Sequence, residues 1–110
     1  MWVFTVDGFF SAVEHRDMPD RVMVRARTKY DIMRLGRALK LNKVQRTPKA
    51  DYQYRLTCPK LVWAEYLMER AVEIDYPNFK AAMEKRTSYA RMEQLHDVWA
   101  VMAGFLRWES

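Results

Sequence analysis

The first quarter of the chain alternates with a period of two. Trp2-Val3-Phe4-Thr5-Val6 is β-branched and aromatic and stops at Asp7-Gly8; a second run, 9–16, follows at once. Asp-Gly between two such runs predicts a hairpin of strands 2–6 and 9–16. Asp17-Met18-Pro19-Asp20 reads as the next turn by composition. In the third strand, 21–27, Val22, Val24 and Ala26 fall on one face, and Arg21, Met23, Arg25 and Arg27 on the other. The apolar set belongs to a core, which leaves three arginines pointing to solvent or to a ligand.

At Thr28 the period changes to 3.6. Thr28 is an N-cap with Asp31 as the acidic partner of a capping-box-like start, and Ile32, Leu35 and Leu39 form the buried stripe of a helix over 29–40. Tyr30, Arg34, Arg37 and Lys40 lie elsewhere on its surface. Residues 41–50 read as a basic connection. Asp51 to Thr57 alternates again, with Tyr52, Tyr54 and Leu56 against Gln53, Arg55 and Thr57, and predicts a fourth strand. Pro59 suits the first turn of a helix over 60–74, apolar nearly all round and expected to be largely covered. Pro77 suits the start of a short helix to about residue 86, and Thr87-Ser88 caps a last helix over 89–107. The order β-β-β-α-β-α-α-α predicts an α+β fold: a four-stranded, mainly antiparallel sheet with helices packed on one face. Neither a repeat nor a domain boundary interrupts 1–110, so a single domain is expected.

Composition sharpens this picture. The chain has 110 residues, half of them hydrophobic, with only 3 Gly and 4 Pro. That supports a core without metal or disulfide staples. The longest apolar run, Val98 to Leu106, is too short to span a bilayer, and no basic leader precedes an apolar stretch at the N-terminus. The lone cysteine, Cys58, excludes an internal disulfide and fits a reducing compartment; a cytoplasmic protein with no membrane contact is expected. The net charge of +5 is unevenly placed. Residues 16–60 hold 13 Lys and Arg against Asp17, Asp20, Asp31 and Asp51, while the flanking segments are each slightly acidic. Such asymmetry points to a polyanionic partner, or else to a solvated face that keeps the protein soluble.

Gly8-Phe9-Phe10-Ser11, His15-Arg16-Asp17, Pro19-Asp20 and Val24-Arg25-Ala26-Arg27, followed by Asp51-Tyr52, Tyr54-Arg55, Val62-Trp63, Ile74-Asp75-Tyr76, Asn78-Phe79-Lys80 and Val98-Trp99, form an ordered series. It resembles a family of short uncharacterised proteins encoded by bacteria and bacteriophages. The resemblance covers most of the chain and carries no assigned activity or functional residue. It implies a protein that acts by binding a host component rather than by catalysis.

The catalytic alternatives are thin. Gly-rich phosphate loops and Cys/His zinc spacing are absent from the sequence, so neither a cofactor nor a metal is expected. His15, beside Arg16 and Asp17, is a general base for phosphodiester chemistry or a histidine in a strand-end hydrogen-bond cluster. His96-Asp97 lacks the further ligands of a metal-dependent hydrolase and otherwise reads as a locally satisfied helix histidine. Cys58 at a helix N-terminus is an activated thiol or a small packed side chain. Asp75 to Lys80 is a recognition loop or a helix–helix corner. The strongest candidate is a binding set of Arg16, Arg21, Arg25, Arg27, Arg34, Arg37 and Arg55 that tracks phosphates, with Tyr52 and Tyr54 either stacking on unpaired bases or forming, with Leu56, the core face of their strand, and with the strand and helix arginines on one side of the sheet or on opposite sides. The expected partner is nucleic acid or a nucleoprotein. The rival is a host protein that this chain inhibits or modifies. Trp99, Met102, Phe105, Leu106 and Trp108 exceed what one small domain covers, and predict a homodimer interface.

Overall fold

The computed structural model describes residues 1–109, and the side chains of residues 1–104. The architecture is α+β, with strands β1 (Trp2–Thr5), β2 (Gly8–Glu14) and β3 (Arg21–Ala26), helix α1 (Lys29–Leu39), strands β4 (Gln45–Arg46) and β5 (Tyr54–Pro59), and helices α2 (Lys60–Val72), α3 (Phe79–Met83) and α4 (Tyr89–Glu109). The sheet is open and antiparallel, in the order β1-β2-β3-β5-β4. It has five strands among the described residues, not the expected four. The extra one, β4, is a two-residue edge strand within the basic connection 41–50, where Gln45 pairs with Arg55 and Arg46 with Tyr54. Two residues carry too little alternation to show in a sequence.

The chain divides into two compact units, Met1–Ile74 and Asp75–Ser110. In the first, α1 and α2 pack on one face of the sheet. Phe10 and Ala12 of β2, Val22, Val24 and Ala26 of β3, and Leu56 and Cys58 of β5 meet Ile32 and Leu35 of α1 and Trp63 and Tyr66 of α2. This is the face that the alternation of 21–27 assigns to the core. The coverage of α2 is narrower than its composition suggests: Trp63 and Tyr66 are buried, whereas Leu61, Met68 and Val72 are exposed.

Local chemistry sets the joints. The loop between β1 and β2 is Val6-Asp7, because Thr5 pairs with Gly8. Gly8 sits at φ +147, and a Cβ there would collide with the Asp31 carboxyl group. Only glycine tolerates both the dihedral and the contact. Thr28 caps α1 as expected, accepting from the Asp31 N–H at 3.2 Å. The Asp31 carboxylate is buried and accepts the Phe9 N–H at 3.2 Å, tying α1 to the hairpin. Helix α1 ends with Lys40 in the left-handed region, where the Lys40 N–H donates to Arg37 and the Leu41 N–H donates to Gly36. Gly36 lacks the Cβ that would strike the Leu41 carbonyl at 2.7 Å, so the chain turns back over the helix end.

On the β1–β2 loop, Asp7 closes a small network with α2. Tyr66 donates to its Oδ2 at 2.6 Å, Arg70 Nε donates to the same oxygen at 2.6 Å, and the Thr5 hydroxyl lies 2.8 Å from the Tyr66 hydroxyl. Burial, with the Asp7 carboxylate beside it, pushes the Tyr66 phenol well above its ordinary value. Burial disfavours the charged form of Arg70, but its hydrogen bond and charge pairing with Asp7 outweigh that and raise its pKa.

In the second unit, Asn78 caps α3 by accepting from the Ala81 N–H, and Ser88 accepts from the Arg91 N–H at the start of α4. Met83 and Leu95 are buried. No helix among the described residues is long and apolar enough to cross a membrane.

Candidate functional site on the arginine face of the sheet

Strand alternation that sends Phe10, Val24 and Leu56 into the core sends their neighbours to the opposite face. Ser11 pairs with Arg25, and Arg25 pairs with Arg55, so these three form a row across β2, β3 and β5. Trp2 extends the row on β1, where it pairs with Ser11. One register step away Phe4 pairs with Phe9, and their rings stack at 4.6 Å between centroids. Val13, Met23 and Thr57 form a parallel row, and Arg21 lies in the next row, opposite Pro59.

Tyr52 organises the centre. It precedes β5, in a bend that turns it away from Tyr54, and it lies on the arginine face. The Arg27 guanidinium sits 4.5 Å from its ring centroid and that of Arg25 at 4.7 Å. The Phe9 ring stands 6.5 Å away. The two arginines leave Tyr52 only 7% exposed. Cation–π contact with a flat ring holds the guanidinium planes in place. Arg25 also donates to the Ser11 hydroxyl at 2.8 Å. Arg55 donates from Nε to the Tyr52 carbonyl at 3.4 Å and approaches the Met23 sulfur at 3.8 Å.

The electrostatics are one-sided. Arg27 pairs with Asp51 at 3.1 Å, and that hydrogen bond raises its pKa. Arg21, Arg25 and Arg55 have no carboxylate within ion-pair distance among the described residues. Arg25 and Arg55 are half-buried and directly opposite one another. Like charges at directly opposed positions of a sheet repel. The Nε of Arg25 is buried and has no hydrogen-bond partner.

The sequence-derived binding set therefore splits. Arg21, Arg25, Arg27, Arg55 and Tyr52 come together on this face. Arg34 and Arg37 lie on α1, across the sheet, and Arg16 is exposed in the turn after β2. Tyr54 pairs with Ala26 and packs against the core, with Arg46 6.0 Å over its ring. Tyr52 and Tyr54 were expected on one strand face; the strand starts only at Tyr54, and the bend before it separates them. Trp2, Phe4, Phe9 and Ser11 belong to the face although the basic pattern does not point to them. Their signal is the hairpin register, which carries the face of the arginines across to β2 and β1.

The other candidate groups stand apart. The His15 Nδ1 accepts the Asp17 N–H at 3.1 Å within the turn. His96 stacks on Trp99 at 5.8 Å, with Lys80 4.7 Å over the same indole. Burial pushes the Cys58 thiol up, against the opposing pulls of Arg21 and the Trp63 N–H. No three His, Cys, Asp or Glu side chains among the described residues gather as a metal site. Of the α4 residues expected at a dimer interface, Trp99 and Met102 are exposed, while Phe105, Leu106 and Trp108 lie outside the described side chains. Comparisons with family models, with curated proteins and with solved structures find no match to this chain.

Proposed function

We propose that this protein is a non-enzymatic binding domain whose arginine face contacts nucleic acid, alone or within a nucleoprotein. The observation that carries the reading is the opposed, half-buried Arg25 and Arg55, without carboxylate partners, beside the Arg25–Tyr52–Arg27 stack. Like charges at opposed positions of a sheet repel, and a phosphate bound over them offsets that repulsion while accepting hydrogen bonds from the guanidiniums. The preference for binding over catalysis rests on the sequence, in which His15, Cys58 and His96 each lack the further members of a catalytic set.

A salt series tests the reading. Four phosphate contacts, from Arg21, Arg25, Arg27 and Arg55, give a slope of log K against log salt of roughly −3. Replacing Arg25 and Arg27 together by Gln flattens that slope by about 1.5. An unchanged slope in a folded double variant, or no binding to any single- or double-stranded DNA or RNA at low salt, overturns it.

A second reading, a protein-docking role, is favoured by exposed Val98, Trp99, Val101 and Met102 on α4. Its form for this chain is pairing with a second copy, measured by sedimentation at high concentration. A monomer there moves the reading to a different protein, such as a host factor.

A further inference from the structure

The arginine face carries a feature that phosphate binding does not use: aromatic rings open to solvent. Trp2 is 76% exposed and Phe4 is 37% exposed, and both stand on β1 at the edge of the face. Phe4 is backed by the stacked Phe9 ring, so one flat side is supported from beneath. Tyr52, in contrast, is buried, with the Arg25 and Arg27 guanidiniums against its ring. The face thus separates two chemistries. Cations lie on β3 and β5, and aromatic platforms lie on β1, about 10 Å from β3 at two strand spacings.

Resting on the phosphate-binding reading above, we infer that the ligand is single-stranded nucleic acid, with unpaired bases stacked on Trp2 and Phe4 while its phosphates lie over Arg25, Arg27 and Arg55. In a duplex every base face is already stacked on a neighbour, so exposed rings on a flat sheet gain nothing from it. An unpaired base presents a π-face that an aromatic ring can cover. Arg25 and Arg27 lie on the sheet surface against the Tyr52 ring, and Arg25 is also bonded to Ser11, so they contact a strand laid along the sheet. Stacking accepts every base, so the arrangement favours unpaired strands over a particular sequence.

The test uses the full chain with labelled 12-nucleotide mixed-sequence RNA and DNA, each as a single strand and as a duplex. The single strands bind at least tenfold more tightly than the duplexes. Trp2→Ala and Phe4→Leu each weaken single-strand binding by about 5- to 100-fold. Both leave the salt slope unchanged, because stacking releases no counterions. Trp2→Phe, which keeps a ring, recovers most of the loss. Phe4→Leu keeps apolar cover over Phe9, and a thermal melt identifies any unfolded variant. Duplexes binding as tightly as single strands, or single-strand affinity indifferent to Trp2→Ala, overturns the inference. In that event a slope that still responds to Arg25 and Arg27 leaves the phosphate reading standing. Absence of binding to all four probes overturns both.

Discussion

Phe9 and Phe10 are neighbours on one strand and inhabit different media. Phe10 is fully buried, its ring edge-on to Trp63 at 6.5 Å, with Ile32, Leu35 and Val24 in the same core. Phe9 lies between Phe4 and Tyr52, with the Arg27 guanidinium 5.9 Å from its centroid. One face of the sheet is held by apolar burial under two helices. The other is a thin layer in which rings and guanidiniums cover one another and nothing apolar closes over them from α1 or α2. The first face needs volume to be filled. The second needs rings and guanidiniums to be kept in contact. A sheet can divide the work in this way because alternation separates adjacent residues completely.

The largest effect expected from this contrast is on stability. Phe10→Ala removes a buried ring and leaves a cavity under α1 and α2, and lowers stability by about 3–5 kcal/mol. Phe9→Ala loses two aromatic pairs, with Phe4 and Tyr52, at a partly exposed site and lowers stability by about 1–2 kcal/mol. Urea unfolding of both variants measures the difference. Equal losses would mean that the arginine face is a second core, and that its charges are incidental to its packing.

Alternation made the covered face legible from the residues: Val22, Val24 and Ala26 are buried as expected, and Thr28 starts the helix as expected. The same rule failed at Tyr52, because a bend is a property of backbone dihedrals and not of polarity. Asp31 sits in the first turn after the Thr28 cap as expected, but its bond to the Phe9 N–H, 22 residues away in sequence, is beyond any local pattern. The arginines were visible as a charge cluster, but a charge cluster carries no side. Only the pairing of Arg25 with Ser11 and Arg55 divides Arg21, Arg25, Arg27 and Arg55 from Arg34 and Arg37.

A smaller effect tests which face carries the protein's sensitivity to alkali. Tyr66, in the covered layer, holds its proton more tightly folded than unfolded, for reasons of burial first and Asp7 second. Cys58 does the same through burial. The unfolded chain therefore ionises first. Both contributions are fully present below the ordinary values of 9.0 for the thiol and 10.0 for the phenol, and are lost as pH rises above them toward the folded values. Guanidiniums stay charged throughout this window, so the arginines of the other face contribute none of the loss by their own titration. Tyr66→Phe leaves the Thr5 hydroxyl without its ring partner and Asp7 with Arg70 alone, and costs about 1–3 kcal/mol at neutral pH. It also makes the decline above pH 10 shallower than in the parent. A variant with the parent's alkaline slope would place the titrating group elsewhere.

The smallest effect separates charge by location. Lys40 holds φ 57 at the end of α1, a region where a side chain is disfavoured and glycine is not. Its N–H bond to Arg37 and the following Leu41 bond to Gly36 are made by backbone, so they survive loss of the side chain. Lys40→Gly relieves the αL strain, but part of the gain is offset by the freedom glycine adds to the unfolded chain. The net expectation is a gain of about 0.5–1 kcal/mol. The substitution also removes one positive charge, from the helix layer and not from the arginine face. If net charge alone drives binding to a polyanion, the salt slope drops as it does for an arginine. If contact at the sheet drives it, the slope is unchanged, because counterions are released only where phosphates touch. A more stable protein with an unaltered slope is the expected result, and a flattened slope would move the interface toward α1, to the side of Arg34 and Arg37.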